Sequence, residues 1–499
     1  MPSLRACALA LLLAAACGSN QAADDTGPGP GPDAAPIEPA FAVHLVPAAG
    51  VSGAQVVSFA IPLAPGYLHD ATAIRVAAGG GDLAAARVPL AAHPDGSLAS
   101  VLVQVELTIT GEADLAIEVG GRGGGDRAAV PVADTLDGGG TPRVWALLPA
   151  TWLAASGAFG AIAPRAAIAG TPLDAWGGVC DYARWDTDAF TAGMSARDVW
   201  LFDRVTAMYR GYAITGDLEP LRSAYREAGI YRAGVTGTGA ATRIGVPGAA
   251  DDLKYHYTQG LALHYLTTGD ARYREAAENV AVRAHDLWAD PGYAGGDDFW
   301  TERHAGFGLL AYEFAARVSD DRAAMFAGWA EQAVTAYLAT QAAYPASWTD
   351  RDARCFAHSA TAHGESYGYD GCSPWMSAIL ADGLAAYAAR VGGSAAAAVG
   401  ASLVQLGRIV ARDGLDPTGK PYYWMGLGRA GEVDDFDEHW GESAYLVALA
   451  WHFAGRADAG LRASADALVA GLRDHGEAGQ LRSFNWQCRS AVQTPAYLR

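Results

Sequence analysis

The sequence has no block of lysine and arginine residues, and its acidic side chains outnumber its basic ones. Lys and Arg together number 35 against 54 Asp and Glu, which gives a formal net charge of −19. Proteins that bind nucleic acids need basic patches that neutralise phosphates, so we exclude nucleic acid as a partner. The acidic charge also repels polyanions at long range, but salt screens this repulsion and a few arginines can reverse it locally.

The N-terminal apolar run is short. Residues 1–17, MPSLRACALALLLAAAC, contain Arg5 and then about ten apolar residues, too few to span a membrane but typical of an export signal. The small residues before Cys17 resemble a bacterial lipoprotein signal, although Ala14 stands where leucine is usual. We expect cleavage and lipidation at Cys17, with an ordinary cleaved signal peptide as the alternative.

Residues 18–40 contain few side chains that could form a core. They are rich in Gly, Pro and Asp, which predicts a disordered tether. Gly18, directly after the cysteine, resembles the residue found there in outer-membrane lipoproteins. We therefore expect an exported protein that is lipid-anchored at the bacterial outer membrane or cell surface, or is periplasmic.

Cysteine is scarce, with six residues in the chain, two of them in the signal region. The remaining even number in an exported protein favours disulfides. Cys355 and Cys372 are the natural local pair, which leaves Cys180 and Cys488 to join the two ends of the helical region described below.

Residues 41–140 alternate apolar and polar side chains, as in FAVHLVPA and VVSFAIPL, with Gly, Pro and Asp-Gly turns between the runs. This pattern predicts a small β-barrel or sandwich. The segment DTLDGGGTP marks its end, and we place the boundary at residue 140.

Residues 141–499 have long helical stretches with a repeated ending. An aromatic residue closes a helix and is followed by a short polar turn at five positions, Tyr212, Tyr265, Phe314, Tyr387 and Phe453. Spacings of about 50 to 70 residues indicate about six helical hairpins, enough to close a ring. We predict a closed (α/α)6 toroid, with an open helical solenoid as the alternative.

The connections alternate in length, with short turns at one end of the hairpins and long loops at the other. The long loops are residues 176–197, 233–251, 289–301, 342–373 and 414–438. Loops of this length inside a compact domain are usually functional. Since neighbouring hairpins lie side by side, we expect these loops to meet on one rim, which is the candidate site.

Each long loop ends in polar and aromatic residues at the start of a helix. Asp251, Thr301 and Ser373 stand where N-caps belong, and Pro374 occupies a first helical position. Aromatic faces that stack on sugar rings, mixed with polar groups, are typical of a carbohydrate site, although each tryptophan could equally belong to the core. The substrate-binding candidates are Tyr255, Trp300, Trp375, His439, Trp440 and Glu442.

Two reactions fit this set of side chains. In β-elimination from a uronate, a base takes a proton, an acid protonates the leaving oxygen, and a cation neutralises the carboxylate. The catalytic candidates for elimination are His256, His304 or His363 as base, Tyr257 or Tyr367 as acid, and Arg303 as the neutralising cation.

Hydrolysis would need paired carboxylates, for which the candidates are Glu302, Glu365, Asp437, Glu438 and Glu442. The acidic run at residues 432–438 can also be a solvated loop or a Ca²⁺ site. The repeated His, Tyr and Arg residues favour elimination. We expect no cofactor, with Ca²⁺ as an alternative that no specific motif supports. We expect a monomer.

The stretch CFAHSATAHGESYGYDGCSPW, residues 355–375, could be a zinc site or a loop closed by a disulfide. Its C-x2-H-x4-H-x8-C spacing does not match the C-x2-C pairs of structural zinc sites. An oxidising compartment also disfavours free thiolates. We therefore predict a disulfide that braces an active-site loop whose chemistry lies in His363 and Tyr367.

The N-terminal region also carries a family resemblance. SFAIPLAPGYLHDATAIRVAA followed by LAAHPDGSLASVLVQVEL resembles the N-terminal β-barrel of the rhamnogalacturonan exolyase-like family. The PDGS core of the hairpin is retained, whereas His93 and Ser100 replace two aromatic residues. That family has a central β-sandwich for which this chain has no room.

The resemblance implies a carbohydrate-active enzyme, a lyase that acts on an acidic polysaccharide, and it assigns no catalytic residue. A non-catalytic glycan-binding lipoprotein remains a third possibility, because such a protein would keep the stacking tryptophans and need no acid–base pair.

Overall fold

The N-terminal part of the chain forms antiparallel β-sheets. The computed structural model describes residues 38–289, 301–433, 439–476 and 479–499. One sheet has the order β4-β3-β7-β1-β8 and the other β2-β6-β5. The strands are β1 (Ala40–Pro47), β2 (Gly53–Pro62), β3 (Ile74–Ala78), β4 (Gly81–Asp82), β5 (Ala85–Ala92), β6 (Leu98–Ile109), β7 (Ala113–Val119) and β8 (Val144–Leu147).

The alternation in the sequence corresponds to the two faces of these sheets. In β7, Leu115, Ile117 and Val119 are buried and the residues between them are more exposed, because successive side chains of a strand point to opposite faces. The sheet extends past the expected boundary at residue 140. Strand β8 pairs with β1 after the Gly-rich turn, so the β-region ends near Leu147.

The rest of the described chain is helical. Five helical hairpins are formed by α5–α6, α7–α8, α9–α10, α11–α12 and α13–α14. The helices are α1 (Ala150–Ala155), α2 (Arg165–Ile168), α3 (Trp176–Val179), α4 (Thr187–Gly193), α5 (Arg204–Thr215), α6 (Leu218–Gly234), α7 (Thr258–Thr268), α8 (Ala271–Leu287), α9 (Glu302–Val318), α10 (Ala323–Ala343), α11 (Pro374–Val391), α12 (Gly393–Asp413), α13 (Trp440–Phe453), α14 (Ala459–His475), α15 (Leu481–Arg489) and α16 (Thr494–Leu498). Two short ribbons pair β9 (Val235–Thr236) with β10 (Arg243–Ile244), and β11 (His358–Ser359) with β12 (Asp370–Gly371).

The tight turns lie where the repeated endings predict them. Helices α5 and α7 each end at a glycine, Gly216 and Gly269, in the left-handed conformation that glycine adopts without strain. The amide of each glycine donates to the carbonyl of the aromatic residue that closes the helix, Tyr212 and Tyr265. The expectation of a β-region followed by helices is therefore confirmed.

The first helices of the hairpins form a connected inner series. Helix α5 contacts α7, α7 contacts α9, α9 contacts α11, and α11 contacts α13, while α15 contacts both α13 and α5. Every residue of α7 is buried, as are nearly all residues of α13, because these helices are surrounded by protein. The second helices have one exposed face. Helix α12 is apolar and long enough to cross a membrane, but half of its apolar window is buried against protein.

The β-sheets attach to the tight-turn end of this helical array. The hydroxyl of Ser100 in β6 donates to the carbonyl of Leu266 at 2.7 Å, and the Tyr265 hydroxyl donates to the carbonyl of Leu90 at 2.8 Å. Leu102 packs beside Gly269. The long loops, at the opposite ends of the same helices, are therefore left uncovered by the sheets.

A cluster of buried charges joins the inner helices. The carboxylate of Asp382 on α11 accepts two hydrogen bonds of 2.9 Å from Arg210 on α5 and one of 3.0 Å from Arg489 on α15. Gln493, just after α15, donates to the same carboxylate at 3.0 Å. All three charged side chains are at most 5 % exposed, so each charge depends on its partners for solvation.

Both predicted disulfides are present. Cys180 pairs with Cys488 across 308 residues of sequence, and Cys355 pairs with Cys372 across 17. The long-range bond connects the segment before α5 to α15, whereas the short one closes the loop before α11. Two such bonds suggest an extracellular or periplasmic environment. Cys17 lies outside the described residues.

Replacing Asp382 by Asn should strongly destabilise the protein. The substitution leaves two buried arginines without a counter-charge, and breaking a buried pair costs about 3–5 kcal/mol. Asp466→Asn is the matched control, because Asp466 is about half-exposed in its pair with Arg462 and such pairs contribute about 1 kcal/mol or less. Denaturant unfolding measures both, and an equal loss in the two variants would contradict the assigned role of Asp382.

The same carboxylate should also govern stability in acid. Burial alone would raise the pKa of Asp382, but Arg210 and Arg489 outweigh it and lower the pKa to about 2. Because this pKa lies below that of the unfolded chain, the stabilisation is complete above pH ~4 and is lost as the pH falls towards 2. The variant Asp382→Asn should lack this part of the acid dependence in unfolding curves measured between these pH values.

Candidate active site

The N-terminal ends of the inner helices meet at one place, which we call the mouth. Its centre is Trp375 on α11, whose ring stacks on His439 at 5.4 Å between ring centres and 11° between planes. Phe202 and Trp486 approach the same ring at 5.8 and 5.7 Å. The segments that begin α5, α11 and α13, together with α15, thus deliver side chains to a common aromatic wall.

Glu302, the first residue of α9, connects three elements beneath the mouth. One carboxylate oxygen lies 2.6 Å from Nε2 of His358, and the other accepts from the amide of Ser373 at 2.8 Å and from the hydroxyl of Ser377 at 3.4 Å. The side chains of Glu302 and His358 are fully buried. The carboxylate is therefore occupied in holding α9, α11 and the disulfide-closed loop together.

His304 is held by polar partners on both ring nitrogens. Its Nδ1 lies 2.7 Å from the Thr301 hydroxyl, and its Nε2 lies 3.1 Å from Asp252, which also pairs with Lys254 at 2.8 Å. Burial lowers the pKa of His304 despite Asp252. For Asp252, burial alone would raise the pKa, but His304 and Lys254 lower it. A carboxylate in contact with Nε2 fixes the orientation of the imidazole ring.

His363 lies in the mouth with one nitrogen facing a tyrosine. Its Nε2 is 3.4 Å from the hydroxyl of Tyr423, and its ring lies 5.7 Å from Trp375 and 6.2 Å from Trp424, parallel to the latter within 4°. The buried Nδ1 has no hydrogen-bond partner among the described residues. Burial, followed by the charge of Arg303, lowers the pKa of His363 to about 3. The imidazole is therefore neutral at physiological pH.

Arg303 adds a cation beside this pair. Its guanidinium carbon lies 5.8 Å from the centre of the Trp375 ring, and its buried Nε has no hydrogen-bond partner in the part of the chain that the structure describes. The charges of Arg303 and Lys254, with those of the neighbouring histidines when protonated, all act on His363. Lys254 and His304 share the carboxylate of Asp252, so Arg303 is the cation of this group that suits an anionic ligand.

Several predicted residues have other surroundings. The Tyr257 hydroxyl donates to the carbonyl of Trp200 at 2.8 Å and accepts from the amide of Phe202 at 3.0 Å, and burial raises its pKa. His256 is buried, donates from Nδ1 to the carbonyl of Asp252 at 2.9 Å, and has a pKa lowered to about 4 by burial. These contacts give both side chains structural roles at the start of α7.

The remaining predicted residues are distributed around the mouth. Tyr255 is buried beside Lys254, and Glu442 is buried in α13. Trp440 packs on α14, where Gly471 leaves room for its ring. Tyr367 and Glu365 are half-buried in the disulfide-closed loop. Three other candidates, Trp300, Asp437 and Glu438, lie outside the described residues.

The expected N-caps are only partly correct. Asp251 does not cap α7, since Asp252 caps a short 3₁₀ turn (Leu253–Tyr255) and α7 begins at Thr258. Thr301 and Ser373 stand at the N-cap positions of α9 and α11, with Pro374 first in α11, but neither side chain accepts from a backbone amide of its own helix. The Thr301 hydroxyl is used by His304, and the Ser373 hydroxyl donates to the carbonyl of Tyr423 at 2.9 Å.

Tyr423, Asp252 and His358 were not among the predicted site residues. Tyr423 belongs to the PYYW segment of the long loop 414–438, and that position in a long loop was the available signal. Asp252 is next to a residue interpreted as a helix cap, and His358 is three residues from a cysteine. Nothing in the spacing indicates which partner each of them contacts.

Comparisons with known proteins identify no relative of this chain. No family model, no curated protein and no solved structure matches the chain. The candidate site is therefore defined by its own geometry.

Replacing Tyr257 by Phe should reduce stability by about 1–3 kcal/mol, because the change leaves a buried amide and a buried carbonyl without their partner. Tyr182→Phe is the control. The Tyr182 hydroxyl is buried with no hydrogen-bond partner in the described ranges, so its removal should leave stability unchanged or slightly higher. Thermal or denaturant unfolding of both variants tests the structural role, which an unchanged Tyr257→Phe midpoint would contradict.

Proposed function

We propose that the protein is an exported polysaccharide lyase that cleaves a uronate-containing glycan by β-elimination, with its site at the mouth of an (α/α)6-type toroid. Contacts of α15 with both α13 and α5 support the ring. One observation supports this reaction above all. His363 is neutral, its Nε2 lies 3.4 Å from the Tyr423 hydroxyl, and the charge of Arg303 acts on the same imidazole. We also expect the lipid anchor at Cys17, which would keep the enzyme at the outer membrane.

The three side chains supply the three groups that elimination needs. The imidazole of His363 removes the proton on the carbon next to the uronate carboxylate, and Arg303 neutralises the charge that develops on that carboxylate. The electron pair of the broken carbon–hydrogen bond forms a carbon–carbon double bond as the bond between the adjacent ring carbon and the glycosidic oxygen breaks, and the Tyr423 hydroxyl protonates that leaving oxygen. Trp375, which is 4 % exposed and stacks on His439, packs against His363 and holds it in place.

Hydrolysis has weaker support from the described carboxylates. Glu302 is buried and its oxygens are bound by His358, Ser373 and Ser377. Glu442 is 1 % exposed. A hydrolase needs two carboxyl groups on either side of the scissile bond with access to the substrate. The proximity of a histidine, a tyrosine and an arginine in the described part of the mouth supports elimination instead.

A panel of acidic polysaccharides tests the proposal. We expect the wild type to release unsaturated sugars, whose conjugated double bond absorbs in the ultraviolet. Reducing ends without this absorbance would identify a hydrolase, and binding without turnover would identify a glycan-binding protein; either result overturns the lyase.

Substitutions then test the roles of the three residues. His363→Ala and Tyr423→Phe should each lower kcat by about 10²–10⁴-fold, since each removes a proton-transfer group. Arg303→Gln should lower kcat by about 10²–10³-fold through loss of charge stabilisation. The controls His44→Ala, on the partly exposed surface of β1, and Tyr182→Phe should retain wild-type kcat. Full activity of the His363→Ala variant would show that His363 is not the catalytic base.

A further inference from the structure

Two loops beside the mouth are joined into one wall. We call residues 355–373 the disulfide loop and residues 414–433 the facing loop. Cys372 and Met425 exchange two backbone hydrogen bonds of 2.9 Å, and Gly371 packs so closely on Met425 and Trp424 that a Cβ would lie 2.2 Å from the Met425 carbonyl oxygen. The wall therefore holds its side chains in fixed relative positions.

Aromatic rings continue along this wall away from the catalytic groups. The ring of Trp424, parallel to His363, lies 6.2 Å from Tyr367 and 6.5 Å from Tyr369, and these two tyrosines are 6.5 Å apart. Trp424 is fully buried, whereas both tyrosines are half-buried. The wall thus presents two accessible aromatic side chains farther along from the proposed reaction centre.

A cation stands at the far end of these rings. The guanidinium carbon of Arg429 lies 3.4 Å from the centre of the Tyr369 ring, and the Tyr369 hydroxyl donates to Glu432 at 3.3 Å. Arg429 is exposed, and no carboxylate within the described ranges forms an ion pair with it. Stacking on a ring orients a guanidinium and leaves its N–H edge able to bind a carboxylate with two hydrogen bonds.

We propose that Arg429, supported by Tyr369 and flanked by Tyr367, forms a distal subsite that binds a second acidic sugar of the same polysaccharide chain. This inference rests on the proposed function, because Arg303 would bind the uronate that reacts. The stacked guanidinium pairs with the carboxylate of the second uronate, and the Tyr367 ring contacts the apolar face of a sugar. The enzyme would then prefer chains with carboxylates on more than one residue over short fragments.

Kinetics on substrates of two lengths test the subsite. Arg429→Gln should raise KM about tenfold on the acidic polymer that the wild type cleaves, through loss of a charged hydrogen-bonded pair, and should leave kcat unchanged. Tyr367→Ala should raise KM in the same direction. On the shortest oligosaccharide that the wild type cleaves, KM should not change. Arg122→Gln, an exposed arginine of the β-region, is the control on both substrates.

Affinity electrophoresis separates failure of the subsite from failure of the lyase. Polygalacturonate and alginate in the gel should retard the wild type and Arg122→Gln more than Arg429→Gln, while neutral dextran should not distinguish them. The subsite proposal is wrong if Arg429→Gln and the wild type are retarded equally. It is also wrong if neither acidic polymer retards either protein, whether or not turnover occurs. An equal KM rise on the polymer and the short oligosaccharide also overturns it. A wild type that releases no unsaturated sugar but binds through Arg429 overturns only the lyase.

Discussion

The helical array depends on a carboxylate that is buried between two arginines. Asp382 on α11 accepts hydrogen bonds from Arg210 on α5 and Arg489 on α15, so it joins helices that are far apart in sequence. A buried charge of this kind is tolerated only when its partners replace the lost water. The three helices must therefore pack with one relative placement, and the disulfide from the segment before α5 to α15 reinforces it.

That fixed placement brings the N-terminal ends of the inner helices together and leaves the loops to line the mouth. Beneath the mouth, Glu302 ties α9 to α11 and to His358 in the disulfide loop. Above it, the aromatic wall around Trp375 excludes water from His363, which keeps the imidazole neutral. Burial and neighbouring cations act in the same direction on this histidine, since both lower its pKa and favour the neutral imidazole.

Much of the architecture is predictable because it follows from local pattern. Alternating apolar and polar residues indicate the β-region. Helices closed by an aromatic residue and a short turn indicate the hairpins, and an even number of cysteines outside the first 17 residues indicates both disulfides. The site is harder to predict, as two tyrosines illustrate. Tyr257 and Tyr423 both lie in long polar segments near helix starts, yet the first uses its hydroxyl on the backbone at Trp200 and Phe202, and the second faces His363. Sequence spacing contains no information on that choice.

The sequence by itself determined that a β-region precedes the helices, and it located the turns between paired helices. It also determined the cysteine pairs and the group of loops in which polar and aromatic side chains collect. Hydrophobic periodicity and turn chemistry act within a few residues, which is why they can be read without a structure. Only the tertiary structure decided that Asp252 binds His304, that Asp382 binds Arg210 and Arg489, and that Tyr423 faces His363. These partners are separated by tens to hundreds of residues, and their contacts arise from how whole helices pack.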